Sequence, residues 1–168
     1  MLIVFSGLPG TGKTTIAREL ASRTGATYVR IDSIEQAIRN AQVLAGDIGK
    51  AGYDVANALA QANLGLGRTV IVDGVNPVAE SRQAWRKIAD QQGRPLVDIE
   101  IVCSDLAEHR RRVESRVVDV PGLRAVTWQS VLDHDYEAWN SQPLRLDSAV
   151  LVPETAVALI LEHLGTQV

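Results

Sequence analysis

The chain has 168 residues, the length of one domain at about 100–200 residues each, and such a length can bury about 70% of the unfolded chain's surface without disulfides. Hydrophobic residues at 46% and charged residues at 22% exclude a disordered chain, and 17 Lys and Arg against 20 Asp and Glu leave a formal net charge of −3. That balance argues against a dedicated nucleic-acid binder, and the single cysteine, Cys103, excludes a disulfide framework or a cysteine-rich zinc site. The opening residues carry no basic leader or cleavage motif, and no stretch approaches the ~20 apolar residues of a membrane span. A cytoplasmic protein with one domain over residues 1–168 is expected.

Short apolar runs alternate with helical patterns along the chain, which is how a parallel α/β sheet reads. Leu2 to Phe5 predicts a central strand covered on both faces. Lys13 to Thr24 predicts a helix with Ile16, Ala17, Leu20 and Ala21 inward, stopped by Gly25. Thr27 to Ile31 predicts a second strand. A helix then begins at Ser33, where Gln36 completes a possible capping box. Asp54 to Leu66 predicts a helix with Val55, Leu59, Ala62 and Leu66 inward, and Thr69 to Val72 a third strand.

A helix opened by Pro77 carries Trp85 and Ile88, and Gly93 closes it. Val97 to Val102 predicts a fourth strand, Asp105 to Val117 a helix, and Val118 to Ala125, with Pro121-Gly122, a loop. Thr127 to Trp139 reads as helical, Ala149 to Val152 as a fifth strand, and Glu154 to Leu164 as the last helix.

The sharpest signal is Gly7-Leu8-Pro9-Gly10-Thr11-Gly12-Lys13-Thr14, a complete G-x-x-x-x-G-K-[ST] between a buried strand and a helix. Glycines let the backbone curl so that its N–H groups point inward at phosphate oxygens, and the helix N-terminus adds partial positive charge. Lys13 would reach the β- and γ-phosphates and the Thr14 hydroxyl would ligate Mg²⁺. The expected ligands are ATP and Mg²⁺, bound by residues 7–14 and the adjoining Thr15. No guanine-specifying Asn-Lys-x-Asp follows, so a GTPase switch is not expected. Asp73 ends the third strand, where a carboxylate can hold Mg²⁺ or its water. Asp32 follows the second strand and faces the crevice at the strand C-termini, with Arg30 the nearest acceptor-side cation. With Glu35, Asp32 is also readable as a capping box, and Asn76 as the N-cap of the Pro77 helix.

Arg110, Arg111, Arg112 and Arg116 gather four guanidiniums in seven positions, with Arg112 and Arg116 four apart and sharing a helical face. The plain reading is a solvated helix supported by Glu108–Arg112. Arg124, in the Pro-Gly loop, could swing over a nucleotide. His109, His134 and His163 lack ligand spacing. Trp128 and Trp139, eleven apart, would share one helical face, and Cys103 ends a buried strand.

Four passages carry a resemblance: residues 7–14, Val29-Arg30-Ile31-Asp32-Ser33, Val70-Ile71-Val72-Asp73-Gly74-Val75-Asn76-Pro77, and His109 to Arg116 with its following loop. Together they make the chain similar to the small P-loop kinases of the polynucleotide kinase, zeta toxin and chloramphenicol phosphotransferase branch. It looks most like bacterial proteins described as predicted kinases or AAA-family ATP-binding proteins. The resemblance spans most of the chain and specifies the branch rather than the acceptor.

It implies a three-layer P-loop NTPase fold with a central five-stranded parallel sheet and a short arginine-bearing lid around residues 110–126. It implies Asp32 as the general base and Arg112 and Arg116 as the clamp on the transferred phosphoryl group. The expected activity is transfer of the γ-phosphoryl group of ATP to a hydroxyl of a small-molecule acceptor. A polynucleotide 5′-hydroxyl kinase and a regulatory ATPase module acting through a protein partner are the alternatives. Net charge and the absence of a basic-aromatic stripe weigh against nucleic acid.

Overall fold

The computed structural model describes residues 1–42, 46–117 and 119–165; Val118, the first residue of the expected loop, lies outside them. Five strands, β1 (Leu2–Ser6), β2 (Thr27–Arg30), β3 (Val70–Asp73), β4 (Leu96–Val102) and β5 (Leu144–Asp147), form one sheet in the order β2-β3-β1-β4-β5. Every neighbouring pair is parallel, with Leu2 opposite both Val70 and Leu96. The helices are α1 (Lys13–Thr24), α2 (Ile31–Ala41), α3 (Ala51–Gly65), α4 (Ala79–Gln91), α5 (Leu106–Glu114), α6 (Trp128–Leu132) and α7 (Pro153–Gly165). The expected α/β P-loop architecture is therefore the observed one. Among the described residues no helix is long and apolar enough to cross a membrane.

Strand side chains alternate between faces, so β1 feeds two cores. Ile3 and Phe5 point to one side and meet Ile16 and Leu20 of α1 and Val157 and Ile160 of α7. Leu2 and Val4 point to the other and meet Ala56, Ala60 and Leu64 of α3 and Trp85 of α4. All five β1 residues are buried, as a strand with helices on both faces requires.

Several expectations are corrected. The fifth strand is Leu144–Asp147, not Ala149 to Val152; the latter run leaves Val150 77% and Val152 59% exposed. Helix α3 turns Gly52, Ala56, Ala60 and Leu64 inward and leaves Val55, Leu59 and Leu66 outside. At the start of α3 the neighbour α2 leaves room only for glycine, because a Cβ at Gly52 would run into the Glu35 side chain. The Thr127 to Trp139 helix is only Trp128–Leu132, so Trp128 and Trp139 share no helical face.

Trp139 instead covers the Arg82 guanidinium, 4.2 Å from ring centroid to Cζ, while Arg82 donates to the carbonyls of Glu137 and Ala138. These contacts hold residues 137–139 in irregular backbone with the Glu137 and Ala138 carbonyls satisfied. Neither expected capping box near Asp32 forms: α2 starts at Ile31, and its N-cap, Arg30, makes no side-chain cap bond.

Asn76 is not an N-cap either, since α4 begins three residues later at Ala79. It is fully buried at φ +45°, donates from Nδ2 to the Phe5 carbonyl at 2.8 Å, and accepts from Trp85 Nε1 at 2.8 Å. Its backbone N–H donates to the Tyr53 hydroxyl at 3.2 Å, and its carbonyl accepts from Arg82 Nε at 2.9 Å. One amide thus ties β1, just before the phosphate loop, to α4.

Candidate functional site

Strand β1 has β3 on one side and β4 on the other, so the sheet's connections diverge at its C-terminal end. Ligand crevices open at such points, and the glycine-rich loop occupies this one. Gly10 and Gly12 take φ +84° and +89°, which a side chain would strain. A Cβ at Gly10 would also strike Val113, with His109 3.2 Å away. Helix α1 follows with Gly12 as its N-cap and no side chain capping it, leaving its first amides available to an anion.

The loop closes on itself through Leu8, whose carbonyl accepts from Thr11 Oγ1 at 2.9 Å and from Lys13 Nζ at 2.9 Å. Burial pulls the Lys13 ammonium down to about 8, against the opposing attraction of Asp73 and Asp32.

In front of the loop lies a cleft of about 480 Å³. It gathers Pro9, Gly10, Gly12, Lys13, Thr14 and Thr15 from the loop and α1 with Asp32, Asp73, Arg112, Arg116 and Arg124. Gly7, Leu8 and Thr11 shape the loop from behind rather than line the cleft. Asp73 is buried at the end of β3 and accepts from the Tyr28 hydroxyl at 2.7 Å. Burial, with the Asp73 charge beside it, raises the Tyr28 phenol well above its ordinary value, so this hydroxyl stays a donor.

Asp32, in the first turn of α2, is partly exposed, 3.5 Å from Arg30 Nη2 and 3.9 Å from Arg116 Nη2. Thr14 and Asp73 offer hard oxygen donors of the kind Mg²⁺ prefers. Among the described residues no cluster of three or more His, Cys, Asp or Glu could hold an ion unaided. Such a pair fits a cation shared with phosphate oxygens.

Of the four arginines after His109, two are placed as surface partners: Arg110 pairs with Glu114 at 2.8 Å and Arg111 with Glu108 at 2.7 Å. The Arg111 and Arg112 hydrogen bonds pull Glu108 down to about 2. Arg112 reaches the loop, donating to Glu108 at 2.7 Å and to Ser148 Oγ and O at 2.9 and 3.0 Å. Helix α5 ends at Glu114, so Arg116 lies beyond it and the expected shared helical face is not formed.

Three participants escaped the sequence reading. His109 is buried, with Nε2 2.7 Å from the Pro9 carbonyl and its ring edge-on to Trp128, so α5 is docked on the phosphate loop. Asp119 and Arg18 meet at the cleft wall with Arg30. No local spacing announces a pair such as Arg30 and Asp119, which lie 89 positions apart.

Comparison with known proteins agrees with this fold. The chain is 30% identical over 109 residues to an uncharacterized protein of Mycobacterium tuberculosis, covering 58% of this chain and 22% of that protein's length. Its fold matches that of a protein of Chloroflexus aurantiacus assigned as a kinase, at TM-score 0.76 and 19% identity over 98% of this chain and 96% of that one. It also matches the APS kinase of Mycobacterium tuberculosis, solved with AMPPNP and APS, at TM-score 0.71 and 17% identity over 98% and 96%. The family described as an AAA domain matches residues 2–132, more than half of the chain, and the protein belongs to that family.

Proposed function

We propose that the chain is a phosphotransferase that uses ATP and Mg²⁺ to phosphorylate a hydroxyl of a small-molecule acceptor. The observation that carries this reading is the convergence of Lys13, Asp73, Asp32 and Arg116 on one cleft in front of an anion-ready helix N-terminus. The phosphate loop amides and Lys13 hold the triphosphate and fix the γ-phosphorus in line with the acceptor oxygen. Mg²⁺, held by Thr14 and Asp73 with phosphate oxygens, supplies charge neutralisation when bound. Asp32 orients the acceptor hydroxyl and takes its proton as the new O–P bond forms and the bond to the ADP oxygen breaks.

Arg116, beside Asp32, faces the charge that spreads over the phosphoryl oxygens, and Arg112 is held over Gly12 by Glu108 and Ser148. Of the lid expected around residues 110–126, Arg124 also lines the cleft. The same constellation favours the polynucleotide kinase, zeta toxin and chloramphenicol phosphotransferase branch, with a small acceptor rather than a polynucleotide in view of the net charge of −3.

The test is ADP release from Mg-ATP across metabolites, antibiotics and 5′-hydroxyl oligonucleotides, with Lys13→Ala as the blank. Asp32→Asn is expected to lower label transfer by about 100-fold or more while AMPPNP affinity stays within about twofold of wild type. Turnover unchanged by Asp32→Asn would instead favour a nucleotide-binding module acting through a protein partner.

A further inference from the structure

Arg30 ends β2 inside the cleft, beside the candidate base, with only 3% of its side chain exposed. A guanidinium cannot shed its proton to escape such a place, so its charge must be matched. The match comes from a distant segment. Arg30 Nη1 donates to Asp119 Oδ2 at 2.7 Å and Nη2 donates to Asp119 Oδ1 at 3.0 Å, a two-pronged fork. Arg18 of α1 reaches the same Oδ2 at 3.0 Å. Two cations from separate elements therefore converge on one carboxylate at the cleft wall.

Other features distinguish this arrangement from an ordinary structural ion pair. Asp119 stands outside the helices and strands and is about a third exposed. Arg30 Nε, buried and without a hydrogen-bond partner, lies 3.9 Å from Asp73. A native core seldom leaves such a donor unpaired. Finally, Arg30 Nη2 is 3.5 Å from Asp32, so an anion seated on Arg30 would bring the rest of its molecule against the proposed base.

We propose that Arg30 and Arg18 form the anion site for the acceptor and that Asp119 fills it as an internal substitute when no acceptor is bound. The acceptor is then a hydroxy compound bearing a carboxylate, phosphate or sulfate group, which replaces the Asp119 carboxylate on the fork as it enters. A neutral polyol makes that exchange at a disadvantage, because it would leave the buried guanidinium with only the longer contacts to Asp32 and Asp73, at 3.5 and 3.9 Å. The substrate class rests on the phosphotransferase reading; the anion site does not.

The experiment is calorimetric titration of sulfate, and separately of acetate, into the full chain saturated with AMPPNP, so that the phosphate loop is already filled. Asp119→Ala is expected to bind one of these anions about tenfold more tightly than wild type, about 1.4 kcal/mol, because the internal competitor is gone. Which anion gains more separates a sulfate- or phosphate-bearing acceptor from a carboxylate-bearing one. Adding Arg18→Gln or Arg30→Gln to Asp119→Ala should abolish the gain; Arg18 is on the exposed face of α1, so that variant stays informative if Arg30→Gln fails to fold.

An Asp119→Ala chain that binds neither anion more tightly than wild type, or a gain that survives loss of both arginines, overturns the proposal. So does label transfer from ATP to a neutral polyol in preference to its matched hydroxy acid. If AMPPNP does not bind, the kinase reading fails, and the anion site is decided by the same titrations without nucleotide in a Lys13→Ala background.

Discussion

Replacing Lys13 with methionine removes a buried ammonium while keeping most of the side chain's volume, and the structure fixes the direction of the effect. Burial lowers this group from its ordinary 10.5 to about 8 in the folded, nucleotide-free chain. That gap, about two and a half pH units at about 1.4 kcal/mol each, is a cost of about 3 kcal/mol at neutral pH. The hydrogen bond lost with it does not orphan its acceptor, because Thr11 Oγ1 still donates to the Leu8 carbonyl. Lys13→Met is therefore expected to make the nucleotide-free chain more stable at pH 7 by about 1–3 kcal/mol.

The margin depends on pH. Below about 8 both folded and unfolded chains hold the Lys13 proton and the cost is present in full. Between about 8 and 10.5 the unfolded chain holds more protons than the folded one, so wild-type stability rises with pH and the variant's margin shrinks. Urea unfolding at pH 7 and pH 10 reads both effects. Saturating AMPPNP should then reverse the ranking, since ligand at about 1,000 times its Kd stabilises wild type by about 4.1 kcal/mol and the variant lacks the cation that receives it. A variant less stable than wild type at pH 7 without nucleotide, or a margin undiminished at pH 10, would refute the reasoning.

Gly10→Ala forces a side chain into positive φ and against Val113 and His109, so fluorescent-nucleotide titration should show at least about a tenfold loss of affinity, the equivalent of about 1.4 kcal/mol; unchanged affinity would mean that α5 yields freely. Asn76→Ala leaves the buried Phe5 carbonyl and Trp85 Nε1 without their shared partner. Its expected cost in urea unfolding is about 2–4 kcal/mol, and a loss below about 1 kcal/mol would remove Asn76 from its proposed place in the scaffold.

Strands β1 to β4 and the phosphate loop were legible because their information is local: apolar runs, glycine spacing and a lysine at a set offset. The fifth strand was not, because Leu144-Arg145-Leu146-Asp147 is a half-exposed edge whose alternation is short, whereas the more apolar Ala149 to Val152 attracts attention and forms a turn and an exposed connection. In α3 a hydrophobicity pattern chose Val55 and Leu59 for the core, whereas Gly52 faces α2 and Ala56, Ala60 and Leu64 face the sheet and α4.

The candidate carboxylates could be placed from their positions after strands. Their partners could not, because Tyr28 with Asp73 and Arg30 with Asp119 meet only through tertiary structure. Asn76 shows the converse: its position matched a helix cap, while its actual partners are a strand carbonyl and an indole.

The strand order β2-β3-β1-β4-β5 has a further consequence. Arg30, Asp32 and Asp73 all come from one flank of the phosphate loop, whereas His109, Arg112 and Ser148 come from the other. Under the kinase reading, selection can therefore retune what is phosphorylated by editing the β2–β3 side around an unchanged Asp73, without disturbing the side that braces the loop. Exchanging that flank between relatives is accordingly a rational route to chimeras with new acceptors and an inherited nucleotide grip.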